Sequence, residues 1–177
     1  MTVSQAEVGG SGARRQGASG DWLSVLRRYL ATIAAGNLAW EFAQLPLYTI
    51  WHDGTPREIA FAALHCTGGD VLIASAALLG ALLVAATVGW PHDRFAAVAV
   101  LAMLGGLGYT VFSEWLNTEV RGSWAYAEAM PRLPLIGTGI APLAQWIVVP
   151  LVAFWWARRS LAQGRPDQRL STSGAAS

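Results

Sequence analysis

The sequence predicts an all-α integral membrane protein, a bundle of four spanning helices with both termini on the cytoplasmic side. Three observations predict it. The chain of 177 residues is 54% hydrophobic and only 13% charged, an apolar share above, and a charged share about half of, the usual soluble composition. Its apolar runs approach the ~20 residues that cross a bilayer. Arginine, the only basic residue type besides histidine, is concentrated on one side of the resulting topology. The net charge of +1 says nothing about nucleic acid, and no basic patch interleaved with aromatics suggests it as a partner. The single cysteine, Cys66, rules out an intrachain disulfide framework. The absence of lysine together with abundant alanine fits the coding bias of a high-GC bacterium.

Residues 1–21 are rich in Gly, Ser and Ala without apolar periodicity and read as a disordered tail, and 161–177 read likewise. Between them lies the transmembrane domain, 22–160. Asp21 is a candidate N-cap for a helix opening at Trp22. The first span covers residues 26–47, and Pro46 predicts a stop or kink near its end. Within that span Asn37, Glu41, Gln44 and Tyr48 recur at i, i+4, i+7 and i+11, so their polar groups share a face. An ionisable side chain within a span is costly and marks a functional site by default. The competing explanation is an interhelical hydrogen bond that holds two spans together.

Residues 56–90 admit two readings: one long tilted helix, or a break at Gly68–Gly69 with Asp70 capping a second span from 71 to 89. Gly-Gly-Asp before a clean apolar run is a start signal and favours the break. Residues 57–67 then form a short re-entrant or interfacial piece. Pro91–Arg94 is a tight polar turn that makes the second and third spans antiparallel neighbours. The third span, 95–115, carries Gly105, Gly106 and Gly108 as a small-residue packing face, and Thr110, Glu114 and Asn117 form a polar stripe toward its end. A long connection to residue 139 precedes the fourth span, 140–157, in which Gln145 is the buried polar side chain and Pro150 predicts a kink.

With four spans, Arg14, Arg15, Arg27, Arg28, Arg94, Arg158, Arg159, Arg165 and Arg169 share one side, against Arg57, Arg121 and Arg132 on the other. The positive-inside rule places both termini in the cytoplasm, in a bacterial inner membrane. Glu41, Gln44, His65, Asp70, Glu114, Asn117 and Gln145 then all lie within ~15 Å of the opposite face at 1.5 Å per residue. That shared depth predicts a polar pocket in the outer half of the bundle, capped by the loop carrying Trp124 and Tyr126.

The candidate catalytic groups are Glu41, His65, Asp70 and Glu114; the candidate substrate-binding groups are Gln44, Asn117, Trp124, Tyr126 and Gln145. Carboxyls paired at low dielectric titrate apart and can serve as acid and base. In an aromatic-walled pocket that chemistry suits isomerisation, cyclisation or hydration of a lipid or isoprenoid. Transport of protons, ions or a small solute is the alternative, and a non-enzymatic scaffold with a structural polar cluster is another. One histidine and scattered carboxylates match neither H-E-x-x-H nor paired Glu-x-x-His motifs, so no metal is expected. No other cofactor is expected, because neither a phosphate-cradling glycine loop nor a facing histidine pair is present. The predicted partners are the bilayer and a hydrophobic small molecule.

The strings Trp40-Glu-Phe-Ala-Gln-Leu-Pro-Leu-Tyr48, Leu64-His-Cys-Thr-Gly-Gly-Asp70 and Glu114-Trp-Leu-Asn, with Trp124-Ala-Tyr and Met130-Pro, resemble a group of short, uncharacterised polytopic bacterial inner-membrane proteins. The gathering of acids, a histidine, an asparagine and tryptophans in a membrane also resembles the emopamil-binding superfamily of sterol isomerases, which implies a lipid-converting pocket. The proline-flanked carboxylate pairs of lycopene cyclase domains are missing.

Overall fold

The computed structural model describes residues 6–163, and all of their principal elements are helical. The outer parts of the expected tails, 1–5 and 164–177, lie outside the described residues. Helix α1 runs Ala6–Gln44, followed by a 3-10 turn at Leu45–Leu47 and the short α2 at Ile50–Asp53. Helix α3 covers Pro56–Val84, α4 Phe95–Trp115 with a π-turn at Leu116–Val120, and α5 Ile140–Gln163. Three segments, Pro56–Val84, Phe95–Val120 and Ile140–Leu161, are long and apolar enough to cross a membrane. Helix α1, which carries the densest set of polar residues, is the fourth wall of the bundle and packs on both α3 and α5.

Each long helix buries one stripe. On α1 it is Val25, Tyr29, Ile33, Asn37, Glu41 and Gln44, apolar at one end and polar at the other. On α4 it is Val98, Ala102, Gly106, Thr110 and Glu114, with the same change of character along its length. The apolar halves assemble with Ala74, Leu78, Ala81, Val149, Ala153 and Phe154 into a continuous core beside the arginine-rich end. Tyr29 and Phe154 pack there with ring centroids 4.6 Å apart. The rest of the helix surfaces carry exposed Leu, Val, Phe and Trp, as lipid-facing walls require.

Two expectations for helix starts are corrected. Asp21 is interior to α1 rather than its N-cap, and its carboxylate instead meets His92 Nε2 at 3.1 Å. The break at Gly68–Gly69 does not occur, and α3 is one helix. Its true start signal is Thr55-Pro56-Arg57-Glu58: the Thr55 hydroxyl accepts from the Glu58 amide at 3.3 Å, and the Glu58 carboxylate accepts from the Thr55 amide at 2.8 Å. That reciprocal capping box, with proline in the first turn, outweighs a glycine pair. A break deeper in the bundle would also leave backbone groups unsatisfied where lipid offers no partner.

Both glycines sit in open helix surface, where an added Cβ would meet nothing within 4 Å. Gly68→Ala and Gly69→Ala are therefore expected to raise stability by about 0.5–1 kcal/mol each, the interior-helix glycine penalty. Thermal unfolding in detergent measures this. A loss of stability of that size would restore the broken-helix reading.

Pro46 ends α1 in the 3-10 turn, whereas α5 continues through Pro150. Past the helix ends, the 116–139 connection folds back over the bundle. Thr49 N donates to Ala125 O at 3.0 Å and Ala127 N to Leu47 O at 2.9 Å, an antiparallel bridge pairing Tyr48 with Tyr126. The loop is thus tied by its backbone to the polar end of α1.

Candidate functional site

Under that loop, the polar halves of the buried stripes meet. Gln145, 2% exposed on α5, reaches across with its side-chain nitrogen. Nε2 lies 3.0 Å from each of Asn37 Oδ1, Glu41 Oε1 and Asp70 Oδ2, three acceptors that share its two N–H hydrogens. Gln44 Nε2 donates to Glu41 Oε1 at 3.0 Å and to Gln145 Oε1 at 3.1 Å. Three helices, α1, α3 and α5, therefore share one hydrogen-bonded network. The Asp70 and Glu41 carboxyls meet on the same Gln145 nitrogen and interact electrostatically within it, and the Trp146 indole acts on Asp70.

The reason the residues converge is phase. Asn37, Glu41 and Gln44 continue the i, i+4 register of the apolar stripe that anchors α1. With α3 unbroken, Asp70 shares a face with Cys66 four residues earlier, and the thiol lies in the field of Glu41, Asp70 and Glu114. Asp70 sits ~21 Å along α3 from Pro56, while Glu41 is only ~5 Å from the end of α1. Glu114 and Gln145 likewise lie near the ends of their helices, at Trp115 and Ile140, whereas α3 reaches the cluster from a helix that starts well beyond it.

Glu114, 7% exposed, forms a second acidic centre. The Tyr126 hydroxyl donates to its carboxylate and accepts from the Gly139 amide at 3.0 Å. Burial and the adjacent carboxylate raise the Tyr126 phenol well above its ordinary range, so it stays a proton donor. The buried Trp124 N–H is close enough to Glu114 to act on it electrostatically but makes no hydrogen bond of normal geometry. Tyr48 feels both Glu41 and Glu114, and stacks obliquely on Tyr126 at 5.5 Å.

Two predicted site residues are not brought in. His65 is exposed and stacks on Phe61, ring centroids 5.4 Å apart, because it lies ~140° around the continuous helix from Asp70. Asn117 turns back on its own helix, donating to Ser113 O at 2.8 Å and Ser113 Oγ at 3.2 Å. Glu41, Gln44, Asp70 and Gln145 form the network; Glu114, Tyr126 and Trp124 form the group beneath the loop. Sequence reasoning misses Trp146 and Cys66 as members of the surroundings. Trp146 follows the buried amide of α5, and Cys66 stands at i−4 from Asp70, which are the available signals. Among the described residues no three His, Cys, Asp or Glu side chains come together as a metal-binding group.

The Gln44 Oε1 acceptor is left without a partner in this buried setting, as is the Thr138 hydroxyl beside the loop. A buried unpaired polar atom costs about 1–3 kcal/mol, a cost that a ligand or water offsets on binding.

No family model matches the chain, and no solved structure matches it. Among curated proteins it is similar to GDP-mannose transporter 2 of Emericella nidulans, 29% identical over 124 residues that cover 63% of this chain. The match covers 33% of that transporter, so the chain spans about a third of the length of the relative it resembles. It is a polytopic membrane protein with a distant, partial similarity to a transporter.

Proposed function

We propose that the protein binds a hydrophobic small molecule, a lipid or isoprenoid, at the loop-covered end of the bundle and exchanges a proton with it through Glu41 and Asp70. The observation that carries this reading is the meeting of two carboxyls from separate helices on one amide nitrogen, each at 3.0 Å from Gln145 Nε2. Two carboxyls gathered on one amide in an apolar bundle suit a pair in which one gives a proton and the other receives it. Gln44 and Gln145 orient the pair, and the free Gln44 Oε1 offers the ligand an acceptor. Glu114, Tyr126 and Trp124 form the polar roof. The arginine distribution supports an orientation with both termini in the cytoplasm and this end facing outward, in a bacterial inner membrane.

The test is deuterium transfer. Membranes containing the protein are incubated in D2O with a lipid and isoprenoid extract, and mass spectrometry reads label at carbon. Glu41→Gln is isosteric and is expected to lower label incorporation about 100-fold or more, the usual contribution of a positioned acid or base. Equal labelling with both proteins would end the acid/base reading. The partial similarity to a transporter favours a second reading, proton-linked passage of a small solute. A pH-jump flux in vesicles that Glu41→Gln abolishes, without any carbon label, selects it.

A further inference from the structure

A second feature lies outside the acidic network, on the lipid-facing side. A cleft of about 660 Å³ runs between the end of α4 and the 131–139 turn. Its walls are Val111, Phe112, Trp115, Leu135 and Ile136, and its one charged group is Glu119. From Gly108 to Glu119 it follows eleven helical steps, about 16 Å. Its polarity is graded: glycine and apolar side chains at the end toward the middle of α4, a carboxylate at the end of the π-turn. Thr138 also lines it, a residue only 3% exposed whose buried hydroxyl has no hydrogen-bond partner. An arginine-ringed surface groove at the opposite end of the bundle, by contrast, has no such orphaned buried group among its lining residues.

We propose that this cleft is a binding site for an amine-headed phospholipid, phosphatidylethanolamine. One acyl chain lies along Val111, Phe112 and Leu135, and the head group sits at Glu119 and Thr138. The gradient fits an amphiphile aligned with the helix, tail toward the hydrocarbon and head at the interface. The lining carboxylate, with no cation among the lining residues, selects an ammonium over an anionic or trimethylated head. The Thr138 hydroxyl gains a phosphate or ester partner that the protein itself does not supply. The π-turn matters because it widens the last turn of the helix, with Arg121 N reaching Leu116 O at 2.9 Å, and so opens the head-group end.

The experiment uses the full chain in phosphatidylcholine vesicles doped with equal fractions of chain-brominated phosphatidylethanolamine or chain-brominated phosphatidylcholine. Bromine quenches tryptophan on contact, and the Trp115 component is the difference between wild type and Trp115→Phe. That component is expected to be quenched several-fold more by the ethanolamine lipid. Gly108→Leu, at a position where an added Cβ meets nothing within 4 Å, fills the cleft and is expected to remove the excess. Gly80→Leu, equally open but on α3, is expected to leave it intact. Should Gly108→Leu fail to fold, Glu119→Gln at an exposed position carries the test: chain quenching persists and the head-group preference falls to parity. Equal quenching by the two lipids in wild type, or an excess that survives Gly108→Leu, overturns the proposal. Neither outcome bears on Glu41 or Asp70, so failure here and failure of the acid/base reading are separable.

Discussion

Gln145→Leu is expected to lower the stability of the bundle by about 3 kcal/mol or more. Single interhelical hydrogen bonds in membrane proteins average only ~0.6 kcal/mol, so bond counting alone predicts a modest loss. The larger effect comes from what the substitution leaves behind. Asn37, Glu41 and Asp70 all lose their shared donor, Gln44 Nε2 loses an acceptor, and leucine supplies no polar group in its place. Each acceptor left unsatisfied costs about 1–3 kcal/mol, and more where it is charged, which sets the scale even though Glu41 keeps Gln44 as a donor. Unfolding in mixed detergent measures the change. Adding Glu41→Gln to the Gln145→Leu protein removes the charge and is expected to recover part of the loss, the signature of coupling in a double-mutant cycle. An unchanged midpoint for Gln145→Leu would mean that the network holds nothing together.

The second large effect is at Gly106. A Cβ placed there runs into the six-membered ring of Trp146, a side chain 4% exposed and confined by the apolar core. Overpacking of this kind costs about 1–3 kcal/mol and outweighs the ~1 kcal/mol that alanine gains over glycine in a helix. Gly105→Ala, whose added carbon would rest 3.7 Å from Ala77 in ordinary contact, is expected to be neutral or mildly stabilising. The pair separates close helix approach from general glycine content. Gly106→Ala also displaces Trp146, which acts on Asp70, so the proposed proton exchange is expected to fall with stability. Matching behaviour at 105 and 106 would refute the contact.

The helical bundle and the stripe on α1 are legible in the sequence because both depend on period and composition. A glutamate and two amides in a greasy run stand out, and the 3.6-residue repeat says that they face the same way. The position of His65 is not legible for the same reason. Whether it shares a face with the acids turns on whether α3 is broken, and the decisive Thr55–Glu58 capping box is hidden in a segment that reads as a turn. Asp70 shows how a local rule can mislead: it looks like a cap after two glycines, yet its carboxylate bonds to a helix 75 positions away. The roof is the least legible part. Its sequence marks Tyr126 as an aromatic wall, but the Tyr126 hydroxyl bonds to Glu114 and its backbone pairs with Tyr48. Such strand-like pairing between two short loops leaves no periodic trace.

Tyr29 against Phe154, Trp40 Nε1 against Ala141 O at 3.2 Å, and Glu41 against Gln145 all join the first long helix to the last. The ribosome makes these partners far apart in time, 101 residues for Trp40 and 104 for Glu41. While the middle two helices enter the bilayer, the nascent chain therefore holds an acid and two amides without the glutamine that completes them. The network closes only once α5 has joined α1, which makes that helix the closing stave of the bundle.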